Sequence, residues 1–146
     1  MKKAIFFILI ISLIIISCAK QKGEFLLDGW KMVKMERIDE GKVTNYLSDR
    51  YTIDFYKMWS ETQFMFVGKY KVDTTITYRY GTGTYTLEGT RYEENILYHY
   101  DKSYEGAKIK MLLEYKNDTL FQIWPVNENG QPNEISYYIE KYVRLK

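Results

Sequence analysis

The sequence predicts an all-β domain, an antiparallel meander of about eight to ten short strands. Aromatic residues form 17% of the chain, 15 of them tyrosine, and such side chains suit the half-buried, pleated surface of a sheet. Short runs alternate apolar and polar residues, which is the period of a strand. Turn residues interrupt these runs about every eight to twelve positions, with no helix-length segment between them. A meander of this kind closes into a barrel or folds into a sandwich, because open sheet edges invite aggregation.

The segment ahead of the strands has a different character. Lys2 and Lys3 precede an almost wholly apolar stretch at 4–17. A membrane-spanning helix needs roughly twenty apolar residues, so this stretch is short and suits a signal-peptide core. Its end, Ile15-Ile16-Ser17-Cys18, resembles the lipobox of bacterial lipoproteins: branched apolar, any residue, small residue, cysteine. That resemblance implies cleavage before Cys18, a diacylglyceryl group on its thiol and an acylated amine. Two or more acyl chains anchor a protein stably where one does not. The expected division is a signal peptide at 1–17, the lipidated cysteine and a polar tether at 18–25, and one domain at 26–146.

Removing Lys2 and Lys3 changes the balance from 21 basic and 19 acidic residues to 19 of each. The mature protein is then near neutral and has no basic field to attract nucleic acid. Cys18 is the only cysteine, so once it is lipidated no thiol remains for a disulfide or for catalysis.

The strands follow in order. A helical turn is expected near 26–31, at the entrance. The run at 30–38 ends at Asp39-Glu40-Gly41-Lys42, a good hairpin turn. Runs at 51–56 and 63–71 come next. Gly81-Thr82-Gly83 reads as a break, after which 84–88 leads through Gly89 into 92–100. The run at 108–115 turns at Lys116-Asn117-Asp118 into 119–124, and a polar loop at 125–134 precedes the last strand at 135–145.

"LLDGWKMV" at 26–33, "GTYTLEGTRYEENI" at 83–96, "NDTLFQ" at 117–122 and "EKYVRLK" at 140–146 resemble the bacterial lipocalin-like domains. Many of those belong to Gram-negative lipoprotein families of unknown function. The resemblance implies an up-and-down, calycin-type barrel closed between first and last strands, with Trp30 under Arg144. It also implies an outer-membrane destination, because Ala19 is not the aspartate associated with inner-membrane retention.

Candidate binding residues come from strand alternation. In "YEENILYHY", Tyr92, Glu94, Ile96, Tyr98 and Tyr100 share one face, while Glu93, Asn95, Leu97 and His99 share the other. The first face is the more aromatic and should point inward, carrying Glu94 with it. A buried carboxylate must be paired, hydrogen-bonded or protonated, and the expected partners are tyrosine hydroxyls, Arg79 or Arg91. Tyr85 and Leu87 share a face, as do Ile109, Met111, Leu113 and Tyr115. The candidate ligand contacts are therefore Tyr85, Tyr92, Glu94, Tyr98, Met111 and Tyr115, with plain core as the competing reading.

No enzyme or cofactor is expected. His99, the only histidine, has no serine or cysteine in register, and Glu93 and Glu94 face opposite ways. No spacing suits zinc, and "GTGTYTLEG" lacks the Gly-Lys-Ser/Thr ending of a phosphate loop. The expected function is a membrane-anchored carrier or sensor for a small, largely apolar molecule with a polar end. The alternative is a filled barrel that contacts protein or glycan through outer aromatics such as Tyr78, Tyr80 and Trp124.

Overall fold

Alternation along the first strand sets the architecture, because Trp30 and Met32 turn inward from the same edge-to-edge ribbon that joins the two ends of the chain. The computed structural model describes residues 23–45 and 51–146. Cys18 and the expected signal peptide at 1–17 lie outside the described residues. The strands are β1 (Asp28–Asp39), β2 (Lys42–Asn45), β3 (Tyr51–Trp59), β4 (Gln63–Val72), β5 (Thr75–Glu88), β6 (Arg91–His99), β7 (Lys108–Lys116), β8 (Thr119–Trp124) and β9 (Ser136–Arg144).

From β3 onward each strand pairs antiparallel with the next, and β9 returns to β1 with Trp30 opposite Arg144 and Asp39 opposite Ser136. The result is a closed eight-stranded antiparallel barrel, β1-β3-β4-β5-β6-β7-β8-β9. β2 pairs with the end of β1, from Glu36 to Asp39, beyond the stretch Asp28 to Lys31 that β3 occupies. Closure removes the open edges that a meander would otherwise expose. Eight strands leave an interior that side chains can fill or that holds one small ligand.

The hairpins turn through left-handed residues, with φ 46° and 79° at Glu40 and Gly41 and φ 52° and 55° at Asn117 and Asp118. Paired positive φ values match the twist of the flanking strands.

Three features depart from the sequence reading. Gly81-Thr82-Gly83 is no break: β5 runs straight through it, starting at Thr75. The two glycines face inward against Phe66 and Phe64, where a side chain has no room. The helical turn comes earlier than 26–31: Leu26 N–H donates to the Gly23 carbonyl at 2.9 Å, and Asp28 is already in β1. A β-bulge at Leu97 breaks the alternation of β6, since Ile96 faces Gly83 while Tyr98 faces Thr82.

One end of the barrel is sealed. Trp30 is fully buried and its indole N–H donates to the Leu26 carbonyl at 3.1 Å. The Arg144 guanidinium lies 4.6 Å from the centroid of that indole. It also donates to the carbonyls of Phe25 (2.9 Å) and Leu27 (3.2 Å) and to Asp28 (2.6 Å). Tyr115 completes the seal, edge-on to Trp30 and stacked on Phe25. R144A removes a partly desolvated cation–π contact and two bonds to carbonyls, a loss of about 2 kcal/mol. Its expected melting temperature is about 5–10 °C below that of the parent protein. An unchanged melting curve would show that Arg144 does not hold this end shut.

Candidate functional site

The barrel centre is polar because four strands each place one polar residue at an inward position. Lys57 lies between Phe55 and Trp59 on β3, Glu94 between Tyr92 and Ile96 on β6, Gln122 between Leu120 and Trp124 on β8, and Glu140 between Tyr138 and Tyr142 on β9. All four are buried, Lys57 and Glu94 at 3% exposure each.

They form one network. The Lys57 ammonium donates to Glu94 Oε1, and to Gln122 Oε1 at 2.9 Å. Gln122 Nε2 donates to Glu140 Oε2 at 3.0 Å. Glu140 also accepts from the Tyr142 hydroxyl at 2.6 Å and the Trp124 indole at 2.8 Å. On the other side, Trp59 Nε1 donates to the Tyr92 hydroxyl, which donates to Glu94 at 2.9 Å. The ammonium lies 5.2 Å from the ring centroids of both Trp59 and Phe64.

One cation thus serves two carboxylates. Burial pushes the Glu140 carboxyl above its ordinary value, against the pull of Lys57 and of the Tyr142 and Trp124 bonds. Burial likewise raises the Tyr92 and Tyr142 hydroxyls. A carboxyl whose folded pKa is raised contributes stability that is present below the unfolded value of 4.5 and is lost as pH rises through the folded one. The stability of the parent protein relative to E140Q is therefore expected to fall as pH rises from about 4.5 toward 7, read from paired melting curves. A margin that widened with pH would mean that Glu140 is held as the anion.

A cavity of about 130 Å³ lies above this network. Phe55, Phe66, Ile96, Ile109 and Met111 supply apolar wall, and Glu94, Lys57, Gln122 and Glu140 the floor. Tyr70, Arg79, His99, Tyr100 and Tyr104 surround the other end, which reaches the surface at the exposed Tyr104. The Arg79 guanidinium sits 4.5 Å from the Tyr70 ring centroid and 5.1 Å from that of Tyr100. Its Nε is buried with no hydrogen-bond partner. A larger depression of about 320 Å³ lies between β5–β7 and residues 126–130. Arg91 and Lys110 there are exposed, so its charges remain solvated.

The sequence-derived candidates divide. Glu94 and Met111 line the cavity, and Tyr92 lies below it, bonded to Glu94. Tyr85 is partly buried against Tyr92 but donates its hydroxyl to the Ser60 carbonyl at 2.8 Å, away from the cavity. Tyr115 belongs to the sealed end and bonds Asp118. Tyr98 points outward and is 65% exposed, because the bulge at Leu97 reverses the faces after Ile96. The same reversal carries His99 inward, where it is buried and packs edge-on against Phe66. The cation at Glu94 is Lys57, whereas Arg79 stacks on tyrosines and Arg91 is exposed. Trp124 is no loop aromatic either: it bonds Glu140 and stacks on Tyr138.

Alternation in "YTIDFYKMW", with Ile53, Phe55, Lys57 and Trp59 on one face, was the available signal for Lys57. The same alternation sets Gln122 between Leu120 and Trp124 and Glu140 between Tyr138 and Tyr142, but nothing local shows that the four residues meet. The sequence matches no protein-family model, and no curated protein is significantly similar to it.

Proposed function

We propose that this chain is a membrane-anchored lipoprotein whose barrel binds a small molecule, as a carrier or sensor in the envelope of a Gram-negative bacterium. The observation that carries the reading is the buried Lys57–Glu94–Gln122–Glu140 network opening on a cavity whose far end holds an unsatisfied arginine nitrogen. Buried ion pairs are often matched or bettered in stability by apolar residues of similar volume, so stability alone is a poor reason for this interior. Apolar walls with a few convergent polar groups are the common make-up of a ligand site.

The volume limits the ligand. A cavity of about 130 Å³ is roughly the bulk share of four water molecules and is smaller than sites for drug-sized compounds. The ligand is thus a compact molecule, with an apolar body for Phe55, Phe66 and Ile96 and a polar end. The lipobox-like Ile15-Ile16-Ser17-Cys18 supports a lipid anchor at Cys18, with the outer membrane as the destination. No catalytic role is assigned.

Native mass spectrometry of the full chain, released from membranes in mild detergent, tests the binding. A discrete extra mass that is lost on denaturation is expected. A clean apo mass, with no uptake from a small-molecule extract of the envelope, would overturn the carrier reading. An interaction module would then fit better. One observation favours that alternative: Met65, Val67, Tyr78, Tyr80 and Tyr98 stand exposed on the outer faces of the adjacent strands β4, β5 and β6.

A further inference from the structure

The hydrogen-bonding capacity of the cavity is uneven. On the floor, Glu140 takes bonds from Gln122, Trp124 and Tyr142 on both its oxygens, and Glu94 takes those of Lys57 and Tyr92 on Oε1. At the other end, donors are left over. Arg79 has no ion-pair partner among the described residues, and its buried Nε has no acceptor. Of the His99 ring nitrogens, Nδ1 lies 2.9 Å from the Asp101 carbonyl oxygen and 3.1 Å from the Asp101 N–H, and Nε2 is engaged by neither. No protein group accepts from that Nε2 among the described residues, and His99 lines the cavity.

Resting on the ligand-binding reading above, we infer that the cavity takes a small carboxylate, its head group held by Arg79 beside His99 and its short apolar body against Phe55, Phe66, Ile96 and Met111. Three arguments select this class. A buried guanidinium nitrogen without an acceptor is costly, and an anionic ligand supplies both the acceptor and the counter-charge. The planar fork of arginine matches a carboxylate in two parallel bonds. The Tyr70 and Tyr100 rings on which the guanidinium stacks hold its plane, so little is lost in ordering it when the ligand arrives. A cation would instead meet Arg79 at the entrance and the Lys57 ammonium set against the carboxylates at the floor. A long acyl chain does not fit about 130 Å³.

The test is a ligand-observed NMR titration of the full chain in nonionic detergent, with butyrate, butyramide, butylamine and inorganic phosphate as probes. Butyrate is expected to bind at least tenfold more tightly than butyramide or butylamine. R79Q is expected to lower butyrate affinity at least tenfold and to leave butyramide unchanged, with R79K in between. Should R79Q fail to melt cooperatively, R79K, which keeps the charge and loses the planar fork, is expected to weaken butyrate severalfold. Equal affinity for butyramide or butylamine, or indifference of butyrate to these substitutions, would overturn the carboxylate assignment and leave the ligand-binding reading standing. Phosphate binding that excludes butyrate would overturn it in favour of a tetrahedral oxyanion. No binding of any probe, together with a clean apo mass, would overturn both.

Discussion

Replacing Lys57 by methionine is expected to destabilise the protein by about 3–5 kcal/mol, the usual cost of breaking a buried ion pair from one side. Methionine fills much of the same space, so the loss is electrostatic rather than a cavity effect. Without the ammonium, Glu94 and Glu140 are two buried carboxylates with no counter-charge among the groups that bond them. Glu140, whose pKa burial already raises, responds by taking up a proton, which caps the cost and makes it depend on pH. K57M should therefore lose less against the parent protein at about pH 5 than at pH 7. Substituting both partners is the control. K57M/E94L leaves neither charge of the pair behind, and its loss is expected to fall short of the summed single losses by about 1–3 kcal/mol. Chemical denaturation followed by tryptophan fluorescence measures all three. A K57M loss under about 1 kcal/mol would mean that Lys57 reaches water and that the polar floor is not closed.

The architecture was legible because it depends on period and spacing. Alternation groups Tyr92, Glu94 and Ile96, and Met111 with Leu113, and all five are buried, while the turns at Glu40-Gly41 and Asn117-Asp118 bound their strands as read. The site was half legible. Glu94 followed from its place between Tyr92 and Ile96, but its partner Lys57 did not, since lysine is rarely buried. Arg79, Gln122 and Glu140 come together through strand order around the closed barrel, and no local pattern carries that information. His99 and Tyr98 were exchanged for a definite reason: one extra residue in a strand flips every later side chain, and a single sequence seldom announces a bulge. The glycines were misread for a related reason. Gly-Thr-Gly normally signals a turn, yet inside a small barrel it can mark a place where aromatic rings leave no room for a side chain.

Gly83→Ala tests that last point and the placement of His99 together. A Cβ on Gly83 would lie 2.0 Å from the Asn95 carbonyl oxygen and 3.0 Å from Phe64 Cε1. The first contact is with backbone on the paired strand, which cannot rotate away, so the β5–β6 ladder itself must shift. A loss of about 3 kcal/mol or more is expected, at the upper end of overpacking costs. Gly81→Ala is the comparison. Its Cβ would lie 2.6 Å from ring atoms of Phe66, a side chain that borders the cavity and can turn into it, and 3.1 Å from the Tyr98 carbonyl oxygen, a milder backbone contact, so the cost should be smaller, about 1–2 kcal/mol. The two variants also differ at a distance. Gly83 adjoins the bulge that turns His99 inward, and His99 is the only histidine, so its ring gives a single assignable NMR signal. G83A should move that signal as the bulge reorganises, and weaken butyrate binding with it. Gly81 is paired with His99 itself, so G81A should also shift that signal, but through the narrowed space beside Phe66 rather than through the bulge. If G83A instead melted with the parent protein and left the histidine signal in place, β5 could not pass against β6 at this position, and the inward placement of His99 would fall with it.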